Sequence, residues 1–551
     1  MLYQVFTTIF TALAVTYLLQ AARVLWSCRG QPGFISLFAP FWVWPTLVLA
    51  QNRPRVFLSR KGVWELKADL FARYGSTVLV VPSLVPPKVS VFIGDGKLIH
   101  QINSDRKTFT KPEGANSRVT WYWGHNLLTS DGENWRRHRR IAVSSFSEKN
   151  VAQTWEQAVR LVSEWHERVE EGRRKGKKEV KGVENVMAAL TLLVMGEAAF
   201  GLTFPWPSSF TSTSFSSAAI ATTEKPAFVQ VAKTVLQEGL LPSLLPEWAM
   251  RLPFKKLQRI QSAYDEFEKQ LKQVIQDRRD EIVSGVADDK HDLLSALVRA
   301  NLLEEGRNKL SDQELLSDAY IFVLAGHETS SNALTAIFLF LALYPEHQSV
   351  IFDEVSDYTS SSRPFVYPEA FNGLPYTFAT IQEGLRLAGP VSTTFKRAEK
   401  STTLVGKTVG AKREKIEDLP VKIPEGAEMK ESVVGAHYNP KSWNDPYDFR
   451  PARFIEDKVD SENIVAFSSG LRGCIGKQFA LAEMVVIVSL TLLKYRIEIP
   501  DSHKADWALR KGEKERERRD RVLNKGTWPI TMSPSGIDLA FVPREEGKKE
   551  V

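Results

Sequence analysis

Phe467-Ser468-Ser469-Gly470-Leu471-Arg472-Gly473-Cys474-Ile475-Gly476 is a glycine-punctuated loop that runs straight into the apolar stretch 479–493. Cys474 is one of only two cysteines in the 551-residue chain. A thiol at a helix N-terminus faces unpaired backbone N–H groups and the positive end of the helix dipole, and both favour the thiolate. Gly470 and Gly476 are expected to let the backbone fold close around the sulfur. The other cysteine, Cys28, lies far away beside an apolar N-terminal run. Thiolates alone therefore cannot assemble a four-ligand zinc or iron–sulfur set. A single axial ligand is the economical reading, and a buried cysteine packed as a small hydrophobe is the plainer alternative.

The pattern Phe-x-x-Gly-x-Arg-x-Cys-x-Gly resembles the haem-ligand loop of the cytochrome P-450 family, the haem-thiolate monooxygenases. The resemblance implies haem b, with Cys474 as the axial ligand to its iron. It makes Phe467 the ring that shields the sulfur and Arg472 a partner for a haem propionate, with Gly470 and Gly476 shaping the loop. It also implies a mainly α fold with small β-sheets, in one large catalytic domain over 63–551. Length alone would divide such a chain into three or four domains, so the expected single domain comes from the resemblance.

Composition places the chain among ordinary globular proteins, with 43% apolar, 10% aromatic and 25% charged residues. The net charge of +7 is mild for this length and is spread among acidic neighbours, so nucleic-acid binding is not implied. An anionic membrane or an acidic redox partner accounts for it equally well. Residues 2–22 carry no charge, and 15 of the 21 are apolar, long enough for one span at 1.5 Å per residue. Arg23 and Arg29 follow, which places the C-terminal side in the cytosol. Ala12-Leu13-Ala14 looks like a signal-peptide cleavage site, but it lies mid-run and no basic region precedes it. The expected organisation is an anchor over 2–22, a membrane-proximal segment over 23–62, and the catalytic domain. Within the second part, 30–52 is uncharged, broken by Pro40 and Pro45, and rich in Phe and Trp, which suits a membrane surface, with a second span or a re-entrant segment as the alternatives.

Ser311-Asp312-Gln313-Glu314 has capping-box spacing and opens a proline-free helix that ends at Pro345. Its middle, Ala325-Gly326-His327-Glu328-Thr329-Ser330, sets an acid and a hydroxyl where a buried helix should avoid polarity. The hexapeptide resembles the family's oxygen-binding stretch. There the small pair leaves room beside the iron, Thr329 takes the alcohol role and Glu328 the acid role in proton delivery. Thr329 bonding back to the carbonyl four residues earlier is the structural alternative. His327 is read as a satisfied histidine, not a ligand. Glu383 and Arg386 share a helix face, and Arg453 in Phe449-Arg450-Pro451-Ala452-Arg453-Phe454 would complete the family's structural triad. Trp135 and Arg139, four apart, resemble the pair that contacts haem propionates, with Arg397 a further candidate. Arg136, Arg137 and Arg140 are read as basic surface, suited to an acidic reductase.

Elsewhere, Ser208 to Thr223 reads as a solvated loop. Leu240 to Phe254 is apolar with a basic flank and suits either core packing or the bilayer edge. Lys504 to Lys525, nine positive against five negative residues, reads as a solvated insertion, and Trp528 to Pro543 as a closing hairpin. Trp121, Tyr122, Trp123, Phe322 and Val391 to Phe395 are candidate substrate contacts, and their aromatic crowding favours an apolar substrate. With no nicotinamide or flavin fingerprint in the chain, electrons from NADPH would come through a separate cytochrome reductase, with cytochrome b5 a further partner. The expectation is a single-pass endoplasmic-reticulum monooxygenase with a cytosolic catalytic domain, in contact with membrane lipid. The long apolar N-terminus and small insertions resemble fungal members, where terpenoid and other specialised metabolites are tailored. The rivals are a haem-thiolate isomerase, dehydratase or peroxide-using enzyme, and a non-catalytic haem binder. Retention of both Glu328 and Thr329 counts against the first.

Overall fold

The computed structural model describes residues 2–41, 56, 58–112, 123–176, 179–201, 228–238, 241–242, 245, 247–285, 292–361, 363–409, 417–457, 459–524, 526 and 531–544. Trp121, Tyr122, the loop 208–223, residues 42–55, Leu244, Lys525 and Trp528 lie outside them. About 60% of the chain is helical, and the sheets are small, the mainly α architecture expected. The chain divides into two compact units: residues 1–112, 391–448 and 459–474 form the first, and 113–390, 449–458 and 475–551 the second.

The first unit begins with helix α1 (Leu2–Ser27), which is exposed along its length and is long and apolar enough to cross a membrane. Helix α2 (Gly96–Ser104) follows later, its first turn held by the Asp95 side chain accepting from Leu98 N. The strands are β1 (Ser36–Phe38), β2 (Val78–Val85), β3 (Lys88–Ile93), β4 (Phe109–Thr110), β5 (Thr393–Ala398), β6 (Thr402–Lys407), β7 (Asp418–Ile423) and β8 (Glu428–Ser432). Six of them form one sheet in the order β1-β2-β3-β8-β5-β4, and β6 pairs with β7. Val78, Val80, Val91, Ile93 and Met429 face Leu98, Ile99 and Ile102 of α2 and Val465. Leu79, Val81 and Phe92 bury the opposite face with Leu70 and Phe71. Both faces are apolar, which is why β2 reads as a continuous run and not an alternating one.

Residues 33–41 belong to this sheet. β1 pairs in parallel with β2, Gly33 bridges Val80, and Phe34 is buried against Tyr74. The described part of the segment expected on the membrane surface is thus a sheet edge, because Ser36 and Phe34 find backbone and aromatic partners there.

The second unit holds helices α3 (Gly132–Val143), α4 (Glu148–Arg174), α5 (Val183–Phe200), α6 (Lys255–Val283), α7 (Asp312–Leu343), α8 (Glu346–Ser360), α9 (Pro375–Ala388), α10 (Lys477–Lys494), α11 (Asp501–Trp507) and α12 (Glu515–Leu523), with strands β9 (Tyr495–Glu498) and β10 (Ala540–Pro543). α7 is its axis, packed on α5, α9 and α10. The Ser311–Glu314 capping box forms as the spacing predicts. α5 is as apolar as a membrane span but is buried, so it is a core helix.

Three local expectations change. The 504–525 region is not simply solvated: Trp507, Val522 and Leu523 are buried, Arg519 is fully buried, and Arg521 binds Glu513 at 2.8 Å. Arg137 is not free surface, since it pairs with Glu314 and donates to the Lys309 carbonyl at 3.0 Å. β10 pairs antiparallel with β9, 42 residues upstream at Glu498↔Ala540, and not across the Ser533–Gly536 turn.

Candidate active site

In the first unit the 467–474 loop is closed by its own backbone. Cys474 N donates to the Phe467 carbonyl at 2.9 Å, Gly473 N to the Gly470 carbonyl at 3.0 Å, and Ser468 N to the Val465 carbonyl at 3.0 Å. Ser468 adopts a left-handed φ of 57°, rare for a non-glycine residue. Gly470 has φ +68°, and a Cβ there would meet the Asn103 carbonyl oxygen at 2.9 Å, so α2 presses on the loop where only glycine fits. The Asn103 side chain also donates to Ser469 Oγ at 3.3 Å. Gly476 differs: its φ of −88° is ordinary, and a Cβ would meet only the Phe146 ring at 3.5 Å. It is the N-cap of α10, and its conformation does not demand glycine.

The geometry fits a haem-type group. Cys474 is an exposed cysteine, outside any disulfide, at the end of a constrained loop. Among the described residues no three His, Cys, Asp or Glu side chains come together to hold a bare ion. A lone thiolate can then ligate only a metal whose other donors travel with it, as in a porphyrin. Arg472 is half-buried in the same loop, and Arg397 is exposed on β5.

In the second unit, every α7 residue from Leu315 to Leu343 is buried except Ala325, Gly326, Glu328 and Thr329. Beyond its first turn, the accessible residues of this helix therefore all lie in the hexapeptide. Gly326 is small for a reason other than open space: a Cβ would lie 1.9 Å from Met195 Cε of α5. Only Ala325 of the small pair faces outward. Thr329 Oγ1 donates to the Ala325 carbonyl at 2.7 Å. Glu328 accepts from Thr531, and burial pushes its carboxyl up while that hydroxyl draws it down. His327 is buried with Nδ1 3.2 Å from Thr191 Oγ1 of α5, consistent with a satisfied histidine.

Trp135 is buried and Arg139 half-buried on α3. Between them His138, fully buried, binds Asp318 of α7 at 2.7 Å, and Asp318 also accepts from Leu127 N at 2.7 Å. Burial pushes the Asp318 carboxyl up. This pair fixes α3 to α7, and with it the placement of Trp135 and Arg139. Sequence reasoning missed it, although an acid inside the apolar run 315–324 signals a buried partner. Glu383 and Arg386 of α9 pair at 2.7 and 2.8 Å, and Arg453 Nε and Arg450 N reach Glu383 Oε1 at 3.0 Å each. The expected triad forms, fully buried.

The family profile for cytochrome P450 matches residues 40–511. The chain belongs to the cytochrome P450 family. A cytochrome P450 monooxygenase of Postia placenta is 28% identical over 486 residues, 88% of each chain. One of Arthrobotrys oligospora is 25% identical over 84% of this chain and 83% of its own. A Saponaria officinalis relative, echinocystic acid 23-monooxygenase, is 27% identical over 79% of each. This P450 is an oxygen-incorporating oxidoreductase with a thiolate-ligated haem and electrons supplied by a reductase.

Proposed function

We propose that this chain is a single-pass, endoplasmic-reticulum monooxygenase that places one oxygen atom of O2 into an apolar specialised metabolite, with terpenoids the leading substrate class. The observation that carries the reading is the exposed Cys474 presented by a strained, closed loop in a P450 chain. When bound, the haem supplies dioxygen activation; RH, O2, two electrons and two protons yield ROH and water. The chain's own residues do the rest. Cys474 would ligate the haem iron and Phe467 would shield the sulfur, while Gly470 holds the loop's left-handed turn and Gly476 caps α10. Arg472, Arg397, Trp135 and Arg139 would neutralise or hydrogen-bond the propionates. Thr329 and Glu328 pass protons one at a time from a helix face that is otherwise closed to water. NADPH through a cytochrome reductase, with cytochrome b5 as an auxiliary donor, would supply the electrons. Residues 2–22 anchor, 23–62 adjoin the membrane, and 63–551 catalyse. The fungal relatives and the plant relative's named substrate support a specialised-metabolite role.

The test uses the purified full chain. Reduced and exposed to carbon monoxide, it shows the long-wavelength Soret band of sulfur-ligated haem, and Cys474→Ser loses it. With reductase and NADPH, isotope-labelled O2 leaves one label in product from an extract of terpenoid-type metabolites. A normal Soret position, or label-free product, overturns the proposal.

A further inference from the structure

We propose that Thr531 is the positioning residue for Glu328, so that the C-terminal segment, and not α7 itself, aims the acid of the proton path. This rests on the role proposed above for Glu328. Thr531 lies 203 residues downstream, and its hydroxyl donates to Glu328 Oε1. The donor's direction is fixed from behind. Asn332 Nδ2 donates to Thr531 Oγ1 at 3.1 Å and to Ser533 Oγ at 3.1 Å, which uses both amide protons. With its oxygen occupied, the threonine hydroxyl has one proton to give and gives it to the carboxyl.

Asn332 is one turn beyond Glu328 on the same face of α7, so amide, hydroxyl and acid form a chain that starts and ends on one helix. Met532 N, donating to the Pro390 carbonyl at 2.8 Å, holds the segment to the end of α9. Thr531 and Asn332 are buried. A segment merely pinned to α7 would need only the Asn332–Ser533 and Met532–Pro390 bonds. The Thr531 hydroxyl adds a bond to the acid itself, which holds one carboxyl oxygen and leaves the other to take and release a proton. Its donation favours the ionised form and so opposes burial, which is the larger influence and leaves the Glu328 carboxyl raised overall. Among the described residues, the other titratable groups near the acid include Tyr320, two turns back on α7, and on other faces of the helix His327 toward α5 and Glu483 of α10 beside Ser330.

Infrared pH titration of the full chain gives a readout that does not need turnover. The carboxyl band lost in Glu328→Gln identifies the acid. In Thr531→Val, which keeps the shape and removes the hydroxyl, that band titrates at higher pH; in Thr531→Ser it returns to the parent midpoint. Asn332→Ala, which frees the hydroxyl to turn away, moves it in the same direction as Thr531→Val and guards against a misfolded single variant. With reductase and NADPH, Thr531→Val releases more peroxide per NADPH, with turnover lower by on the order of tenfold. An unchanged midpoint in both Thr531→Val and Asn332→Ala overturns the positioning role. If Glu328→Gln raises peroxide release but Thr531→Val does not, only that role falls. If Glu328→Gln has no effect, the role given to Glu328 falls and Thr531 with it.

Discussion

Single residues decide how the loop and the central helix can work. Gly470 occupies a left-handed turn against the Asn103 carbonyl, so Gly470→Ala adds both conformational strain and a contact at 2.9 Å. We expect it to cost about 2–3 kcal/mol and to lower haem content per purified protein, measured by pyridine haemochromogen assay. Gly476→Ala, with its ordinary φ, should leave haem content near the parent value in the same assay. Thr329 is a different kind of position. Among the described residues its hydroxyl bonds only to the Ala325 carbonyl of its own helix, a local bond whose loss should leave packing in place. Thr329→Ala should therefore melt at the parent temperature yet release peroxide in place of product, with product per NADPH down by on the order of tenfold. Product yield equal to the parent would remove Thr329 from the proton path. The tight turn of the loop was legible because a glycine at a set interval from the cysteine carries its meaning locally. The small pair was read too simply: Gly326 answers to Met195 of another helix, which no local pattern reveals.

At the scale of elements, buried charge networks tie helices together. Glu383 receives Arg386, Arg453 and the Arg450 backbone N–H, all away from water. Removing one partner strands the others, so Arg453→Met should cost about 3–5 kcal/mol and reduce folded yield. A urea melt showing a loss under about 1 kcal/mol would dismiss the triad as a structural lock. α10 meets α7 through Glu483, fully buried beside Ser330, with burial pushing its carboxyl up to about 8. The unfolded chain releases that proton near its ordinary value of 4.5 while the folded chain keeps it, so this contribution is complete below about 4.5 and is lost as pH rises to about 8. Glu483→Gln should thus gain on the parent between pH 5 and 8, by on the order of 2–3 kcal/mol, in denaturant melts at each pH. A constant difference across that range would show that Glu483 is ionised in the fold. The helix carrying Ser311–Glu314 and its stop before Pro345 were plain in the sequence, since caps and breakers act within four residues. The buried content of 504–525 was not, because the charge density there masks Trp507, Val522 and Leu523, which are buried.

For the whole molecule, α1 lies outside the buried core of its own unit. Its surface is exposed, and its contact with the rest includes Tyr17 donating to the Leu84 carbonyl at 2.6 Å. A chain lacking residues 2–27 should keep its thiolate-haem spectrum and leave the membrane fraction, whereas salt alone should not release the full chain. Release of the full chain by salt would show that charge, not the apolar helix, holds it. What the sequence determined by itself is whatever is encoded over a few residues: the thiolate loop, the capped central helix with its acid and alcohol, the apolar N-terminal helix and the family they belong to. What only the tertiary structure decided is which distant groups meet: Thr531 with Glu328, His138 with Asp318, Met195 against Gly326, and residues 33–41 on the edge of a sheet. The physical reason is that hydrogen bonds and van der Waals contacts act over a few ångströms. A pattern in sequence can report them only where the chain itself keeps the partners close.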